Sequence, residues 1–577
     1  MREPSEHDMS NGAVPPPPLP HQLSNGNLPP TTPPHLDNNH NDLKPISKYR
    51  KGLPQFLATS AMYLNLFDMG MALGFPTIML PAVRSGRESV FFNESQASWF
   101  ASLMFIFQPL GSLISGLILT YLGRKLSLIL INIPFFIIWV LIHTSESIPV
   151  LMVSSIVLAL NIGFLEPPAI NYVGEISTPK LRGILTSYSA PIIYLGLIFE
   201  FTLGKLYHWR TVALINSTIP VITIAAMIQI PESPMWLLSK GRNQKAKNAL
   251  CWLRGWVKPE LVMAEFKYLL NYKEESSFKA KNNNVDKVYT VETGGALKHS
   301  TSFSEGKTKF KQEFIDTTQD GGVKNVRFYD VNSTELKQFN TDVVKQRSPA
   351  SWKLAFRPEY YKPFFLVSMY FMFYYMSGIP STRPYFVLII EEMKIPVDPK
   401  IGTIFVAITG FTGSIVSMCV IKRLGKRPLS LISIGGTAFG ALACGVLTYR
   451  NSGTGGSNIL AFVMFLVLAF FTSVGIAAVP WMLLGEVFPL KGRGIASGLL
   501  ACVAYTLAFG VTKTFPDFHK WFGLYGVFFL YGGSSLVGLI YFYLCLPETE
   551  GKTLLEIELH FKQSKKEKQI KEQVVVA

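Results

Sequence analysis

From about residue 54 to residue 546 the chain alternates long apolar runs with short polar turns. A helix needs about 20 apolar residues to cross the roughly 30 Å hydrocarbon layer, and six runs in the first half meet that length: Pro54–Pro81, Ala97–Leu122, Leu126–His143, Pro149–Val173, Ile184–Leu206 and Thr211–Ile230. Six more follow at Pro363–Ile390, Ile401–Ile421, Pro428–Thr448, Asn458–Leu484, Ile495–Phe515 and Trp521–Leu546. The pattern predicts an all-α membrane protein with twelve transmembrane helices in two six-helix pseudo-repeats. An even number of crossings puts both ends of the chain on one side.

Polar stretches divide the rest. Residues 1–51, rich in Pro, Asn and His, lack the apolar core of a signal peptide and read as a disordered N-terminal tail. A six-helix bundle is expected over 52–230, a polar segment over 231–358, a second bundle over 359–547 and a C-terminal tail over 548–577. Within the central segment, helical apolar spacing predicts short helices over about 236–272. From Lys273 to about Ser348 the sequence is mainly Lys, Asn, Ser, Thr and Asp, and no structure is assigned there.

Only 16% of the 577 residues are charged, against about 25% in soluble domains, so one soluble core cannot hold the apolar surface. The net charge of +16 sits with Lys and Arg in the turns and in the central and C-terminal polar segments; in the turns, Arg124 with Lys125, Lys180 with Arg182, Lys422 with Arg423, and Lys491 with Arg493 all fall on one side. Excess Lys and Arg mark cytoplasmic loops, which places both termini in the cytoplasm and excludes a nucleic-acid stripe. The five cysteines form no CxxC and indicate neither a disulfide framework nor a zinc site. No phosphate-binding glycine loop and no nucleophile, base and acid set emerges, so neither an enzyme nor a cofactor is expected. The expected partners are a small solute and the lipid bilayer, and oligomeric state stays open. Asn93-Glu94-Ser95, in the first loop of the opposite side, is a glycosylation sequon. Asn332-Ser333-Thr334 is another, on the cytoplasmic side.

The two halves repeat each other. GEISTPKLRG at Gly174–Gly183 returns as GEVFPLKGRG at Gly485–Gly494, GRK at Gly123–Lys125 as GKR at Gly425–Arg427, and PES at Pro231–Ser233 as PET at Pro547–Thr549. Glu175, Arg182 and Arg124, with Glu486, Arg493 and Arg427, all lie at the membrane boundary on the cytoplasmic side. Ion pairs there can lock one face and break when the other opens.

These motifs, with PESPMWLLSKGR and PETEGKTLLEIE, resemble the sugar porter family of the major facilitator superfamily. VTKTFPDF at Val511–Phe518 and VPWMLLGE at Val479–Glu486 look most like the insect facilitated trehalose transporters. The resemblance implies the major facilitator fold, alternating access, a cytoplasmic latch at the six residues just named, and a sugar such as trehalose or a hexose. The family's acid before each GRK-type turn is replaced here by Thr120 and Lys422.

The family's sugar-binding amides are mostly missing. Its two glutamines on the seventh span fall at Tyr374 and Tyr375, its asparagine soon after at Pro380, and its glutamine on the fifth span at Ala190; asparagines of the eighth and eleventh spans become Gly410 and Ala504. Trp481 is kept, as is the helix-breaking pair Ser377-Gly378, and Tyr385 matches a gate tyrosine. Charge enters where the family is neutral: Glu166 on the fourth span and Arg383 near the outer end of the seventh, with Asp68 and Glu200 elsewhere. An ionisable group within a membrane is a functional candidate by default. Glu166 is read either as touching a solute or proton, or as paired with Arg383 or another helix. A carrier of a charged organic solute and a non-transporting sensor remain as alternatives.

Overall fold

The computed structural model describes residues 48–86, 88–282, 311–317, 323–330, 358–451, 458–488, 493–552, 556–557 and 560–561, the side chains of 179–180, 183–184 and 491–495 among others excepted. Most of the expected N-terminal tail, the end of the C-terminal tail and the sequon at Asn332 lie outside the described residues.

Among the described residues ten helices are long and apolar enough to cross a membrane. The count falls short of twelve for two reasons. The seventh run is broken: Pro358–Tyr375 stops, Gly378 takes φ 99°, and the short pieces Ile379–Thr382, Arg383–Tyr385 and Phe386–Glu392 complete the crossing. The eleventh and twelfth runs are joined in Arg493–Cys545, which turns at Gly523, φ 67°. Twelve crossings therefore remain, six to each half.

Among the described residues five crossings are interrupted; the break of the sixth, at Ser217 between Trp209–Asn216 and Thr218–Gln229, lies away from the cavity, and the other four face one central space. The second breaks at Phe107 between Glu94–Ile106 and Gln108–Leu122; the fifth breaks at Tyr188 between Pro179–Ser187 and Ser189–Leu206. The seventh breaks as above, and the tenth passes from Ile459–Phe471 through a π turn, Thr472–Ile476, to Val479–Glu486. Irregular backbone at membrane depth is tolerated where it lines a cavity instead of lipid, and Gln108, Ser189, Arg383 and Ser473 from these four breaks all line the same one.

The apolar core shows where the halves meet. One cluster runs from the first six spans into Tyr385, Phe386, Phe515 and Tyr531 of the second half, at the end opposite the GRK-type turns. Around those turns the second half has a separate core, which takes in Ile557 and Phe561 of the C-terminal segment and only Phe105 from the first half. The halves thus share apolar packing at one end and part at the other.

The central polar segment begins with three helices, Pro234–Ser239, Asn243–Leu253 and Pro259–Asn282, with Trp236, Leu237 and Ala249 buried between them. Arg254 ties this layer to the bundle, donating to the carbonyl of Ile176 at 3.0 Å and pairing with Glu265 at 2.6 Å. Beyond Lys273, residues 274–282, 311–317 and 323–330 of the polar segment are described. The third helix continues to Asn282, and strands Lys311–Thr317 and Val323–Asp330 pair antiparallel, Phe314 opposite Arg327.

Candidate functional site

At the end bearing the GRK-type turns, here the basic end, the two halves carry the same construction. Gly123 and Gly425 cap the second and eighth spans in left-handed conformation, φ 91° and 86°. A Cβ at either would stand 2.6 Å from a carboxylate oxygen, of Glu232 in one half and Glu548 in the other. Glu232 accepts from the backbone N–H of Arg124, Lys125 and Ser233; Glu548 accepts from Lys426, Arg427, Thr549 and Glu550. The two acids end up differently. Burial lifts the Glu232 carboxyl above its ordinary range despite its N–H partners, whereas for Glu548, less withdrawn from water, the upward push of burial is outweighed by its four N–H groups, which hold it below. Substituting alanine at Gly123 or Gly425 combines a strained backbone with a carboxylate clash, and each change is expected to lower stability by about 1–3 kcal/mol in thermal unfolding of the detergent-solubilised protein.

The residue after each glycine holds the repeated glutamate. Arg124 pairs with Glu175 at 2.7 Å, and the hydroxyl of Ser233 also donates to Glu175. In the second half this place is held by Lys426, not Arg427: Lys426 Nζ lies 2.9 Å from Glu486 and 2.8 Å from Glu550, with Thr549 donating to Glu486 at 3.3 Å. Arg427 is the counterpart of Lys125. Both turn about 100° further round the helix and donate to carbonyls ending the last span of their half, Lys125 to Ile228 and Ile230, Arg427 to Tyr543. Arg182 is exposed, and the side chain of Arg493 lies outside the described residues. Among the described residues every hydrogen bond and ion pair of these two clusters stays within its own half, so Arg124, Glu175, Arg427 and Glu486 do not bridge the halves in this conformation.

Between the halves lies a cavity of about 490 Å³ that runs from Tyr194 and Arg383 at mid-bundle to Lys422, Glu486 and Glu550 at the basic end. Its wall is aromatic. Trp481 sits edge-on to Phe371 at 4.9 Å and 5.6 Å from Tyr505, and Tyr374 contacts Tyr375 at 4.8 Å. Two hydrogen bonds cross it: Tyr505 donates to Glu166 at 2.7 Å, and Tyr194 shares a proton with Ser473 at 2.7 Å.

The opposite end is sealed across the halves. Lys205 pairs with Asp398, whose carboxyl this hydrogen bond holds below its ordinary range, and Lys400 donates to the carbonyl of Gly204 at 3.1 Å. Thr77 donates to the carbonyl of Arg383 at 2.7 Å, and Lys513 donates to Ser98 at 3.1 Å while lying 4.4 Å over the ring of Trp99.

Of the residues singled out in the sequence, Glu166, Tyr374, Tyr375, Arg383 and Trp481 line the cavity together. Tyr385 does not. It is buried in the seal, stacked on Phe515 at 4.8 Å. No ion pair joins Glu166 to Arg383; Tyr505 takes that place. Asp68 and Glu200 are wholly buried inside the first half, Glu200 accepting from Asn216 at 3.0 Å, and neither lines the cavity. Asn93 caps the second span, accepting from the backbone of Gln96 at 2.8 Å, and is exposed at the sealed end.

A family model described as Sugar (and other) transporter matches residues 54–299 and 316–561. The chain belongs to this family of transporters. Among its relatives, the facilitated trehalose transporter Tret1 of Polypedilum vanderplanki is 27% identical over 508 residues, covering 87% of each chain. That of Apis mellifera ligustica is 26% identical over 513 residues, covering 88% of each. Two solved structures share the fold at 17% identity and TM-score 0.61: the proton:xylose symporter XylE bound to 6-bromo-6-deoxy-D-glucose, matched over 89% of this chain and 100% of that one, and XylE from E. coli in an inward open conformation, over 88% and 99%. The protein is thus a multi-pass membrane transporter of the major facilitator fold and not an enzyme.

Sequence reasoning missed Gln108, Tyr194 and Tyr505 in this transporter's cavity. Gln108 carries a signal, being a lone amide inside an apolar run just before Pro109. Tyr194 carries none, because its place depends on Gly410 across the interface: a Cβ there would meet the Tyr194 ring at 2.3 Å. The ring fills the space that the absent eighth-span side chain leaves.

Proposed function

We propose that this transporter carries a sugar of trehalose or hexose type by alternating access, down its gradient, across the plasma membrane with both termini cytoplasmic. The observation that supports this reading most is a single cavity between two mirrored halves, sealed at one end by cross-half contacts and reached from the other. Its volume falls within the roughly 300–1,000 Å³ of small-molecule sites. On this reading the basic end is the cytoplasmic one, and the conformation described faces the cytoplasm. Trp481, Tyr374 and Tyr375 offer rings and hydroxyls to the sugar, with Glu166 and Arg383 at the same wall. Tyr385 acts in the outer seal. When the inner end closes, the clusters around Glu175 and Glu486, with Arg182 and Arg493, form the latch. Asn93 carries an N-linked glycan on the outer face.

Proteoliposome uptake tests it. Labelled trehalose or glucose is expected to enter saturably, with accumulation stopping when inside and outside concentrations match. Uptake no greater than that of empty liposomes for both sugars would overturn the proposal.

A further inference from the structure

Arg383 stands apart from the other charged groups of the cavity. Its backbone carbonyl is engaged by Thr77, but its guanidinium makes no hydrogen bond or ion pair among the described residues. The guanidinium nitrogens are also not among the fully enclosed unpartnered atoms, so they keep accessible surface on the cavity wall. Every other charge along the cavity is provided for: Lys426 is held between Glu486 and Glu550, Lys422 is exposed at the mouth, and Glu166 accepts from Tyr505.

The two mid-cavity charges differ in kind. Glu166 is engaged by the Tyr505 hydroxyl, whereas the guanidinium, which cannot shed its charge in a protein, is left without a partner among the described residues, so the unpaired charge on this wall is positive. A second, independent feature points the same way. The amide Nε2 of Gln108, a cavity-lining residue that is 2% exposed, is buried with no hydrogen-bond partner, and the hydroxyls of Tyr374 and Tyr375 donate to nothing among the described residues. The wall thus holds unpartnered donors and one unneutralised cation, which an acceptor-rich, negatively charged group would satisfy.

We propose that the transported solute is an anionic carbohydrate, a polyhydroxylated ring bearing a carboxylate or phosphate, whose charged group is received by Arg383, with Gln108 a further donor on the same cavity wall. This rests on the carbohydrate reading above and narrows it. The aromatic wall of Trp481, Tyr374 and Tyr375 takes the ring, and the planar fork of the guanidinium takes two oxygens of the anion.

Binding to the purified full chain in nanodiscs decides it, using D-glucuronate, glucose 6-phosphate, glucose and glucosamine as probes. Glucuronate, glucose 6-phosphate or both are expected to bind at least about tenfold more tightly than glucose, the ratio for a hydrogen-bonded charge added to a neutral ligand, with glucosamine weakest. Arg383→Gln is expected to abolish the preference for the anion over glucose, and Arg383→Lys to keep part of it. The comparison among ligands on the unaltered protein stands even if a variant folds poorly. Glucose binding equal to or tighter than both anions, or glucosamine binding tightest, would overturn the inference and leave the carbohydrate reading in place. Absence of binding by all four would remove both. Of the two anions, whichever binds more tightly identifies the charged group.

Discussion

Replacing Lys426 with methionine is expected to destabilise the second half by about 3 kcal/mol, the scale for removing one partner of a largely buried ion pair. The lysine side chain is 6% exposed and lies between Glu486 and Glu550, each 33% exposed. Its loss leaves two carboxylates facing each other beside a third, Glu548, whose acceptors are already filled by backbone N–H groups. Arg427→Met, one residue on, removes only a half-exposed bond to the carbonyl of Tyr543 and is expected to change stability by less than about 1 kcal/mol. Thermal unfolding of both variants in the same detergent separates them. Equal losses, or a larger loss at Arg427, would return the ion-pair role to the arginine that the sequence motif picks out.

The second large effect is expected at Trp481. Its indole is braced by Phe371 on one side and by Tyr505 on the other, and Tyr505 is itself fixed by Glu166 from the opposite half. Substitution by alanine removes the ring from the cavity wall and frees Tyr505. Uptake efficiency is expected to fall about 10- to 100-fold, equivalent to about 1.4–2.8 kcal/mol. Trp481→Phe keeps an aromatic face and is expected to retain activity within about fivefold. Measured in proteoliposomes with matched protein content, full activity of the alanine variant would take Trp481 out of the solute path.

These two residues are not equally legible in the sequence. The repeat and the span count could be read because glycine, proline and charge cluster at helix ends, where a left-handed turn or an interfacial ion pair permits few substitutes. Trp481 could be read for the same reason, sitting in a motif after Pro480. Lys426 could not, because GRK and GKR align by composition while a helix rotates about 100° per residue; only geometry decides which base reaches the acid. The pairing of Glu166 with Tyr505 in place of Arg383, and the filling of the Gly410 space by Tyr194, depend on packing between halves that share no local sequence. The same holds for the seal, since Lys205 and Asp398 are 193 residues apart.

The seal also offers the most direct test of the central claim, that two halves rock about one cavity. With the five native cysteines replaced in a background that still transports, Lys205→Cys and Asp398→Cys can be joined by a short bismaleimide. Tethering the sealed end is expected to reduce uptake to the level of empty liposomes, while the same reagent leaves each single-cysteine protein active. Complete cross-linking with uptake undiminished would mean that this end never opens, and the rocking of two halves would not be how this protein works.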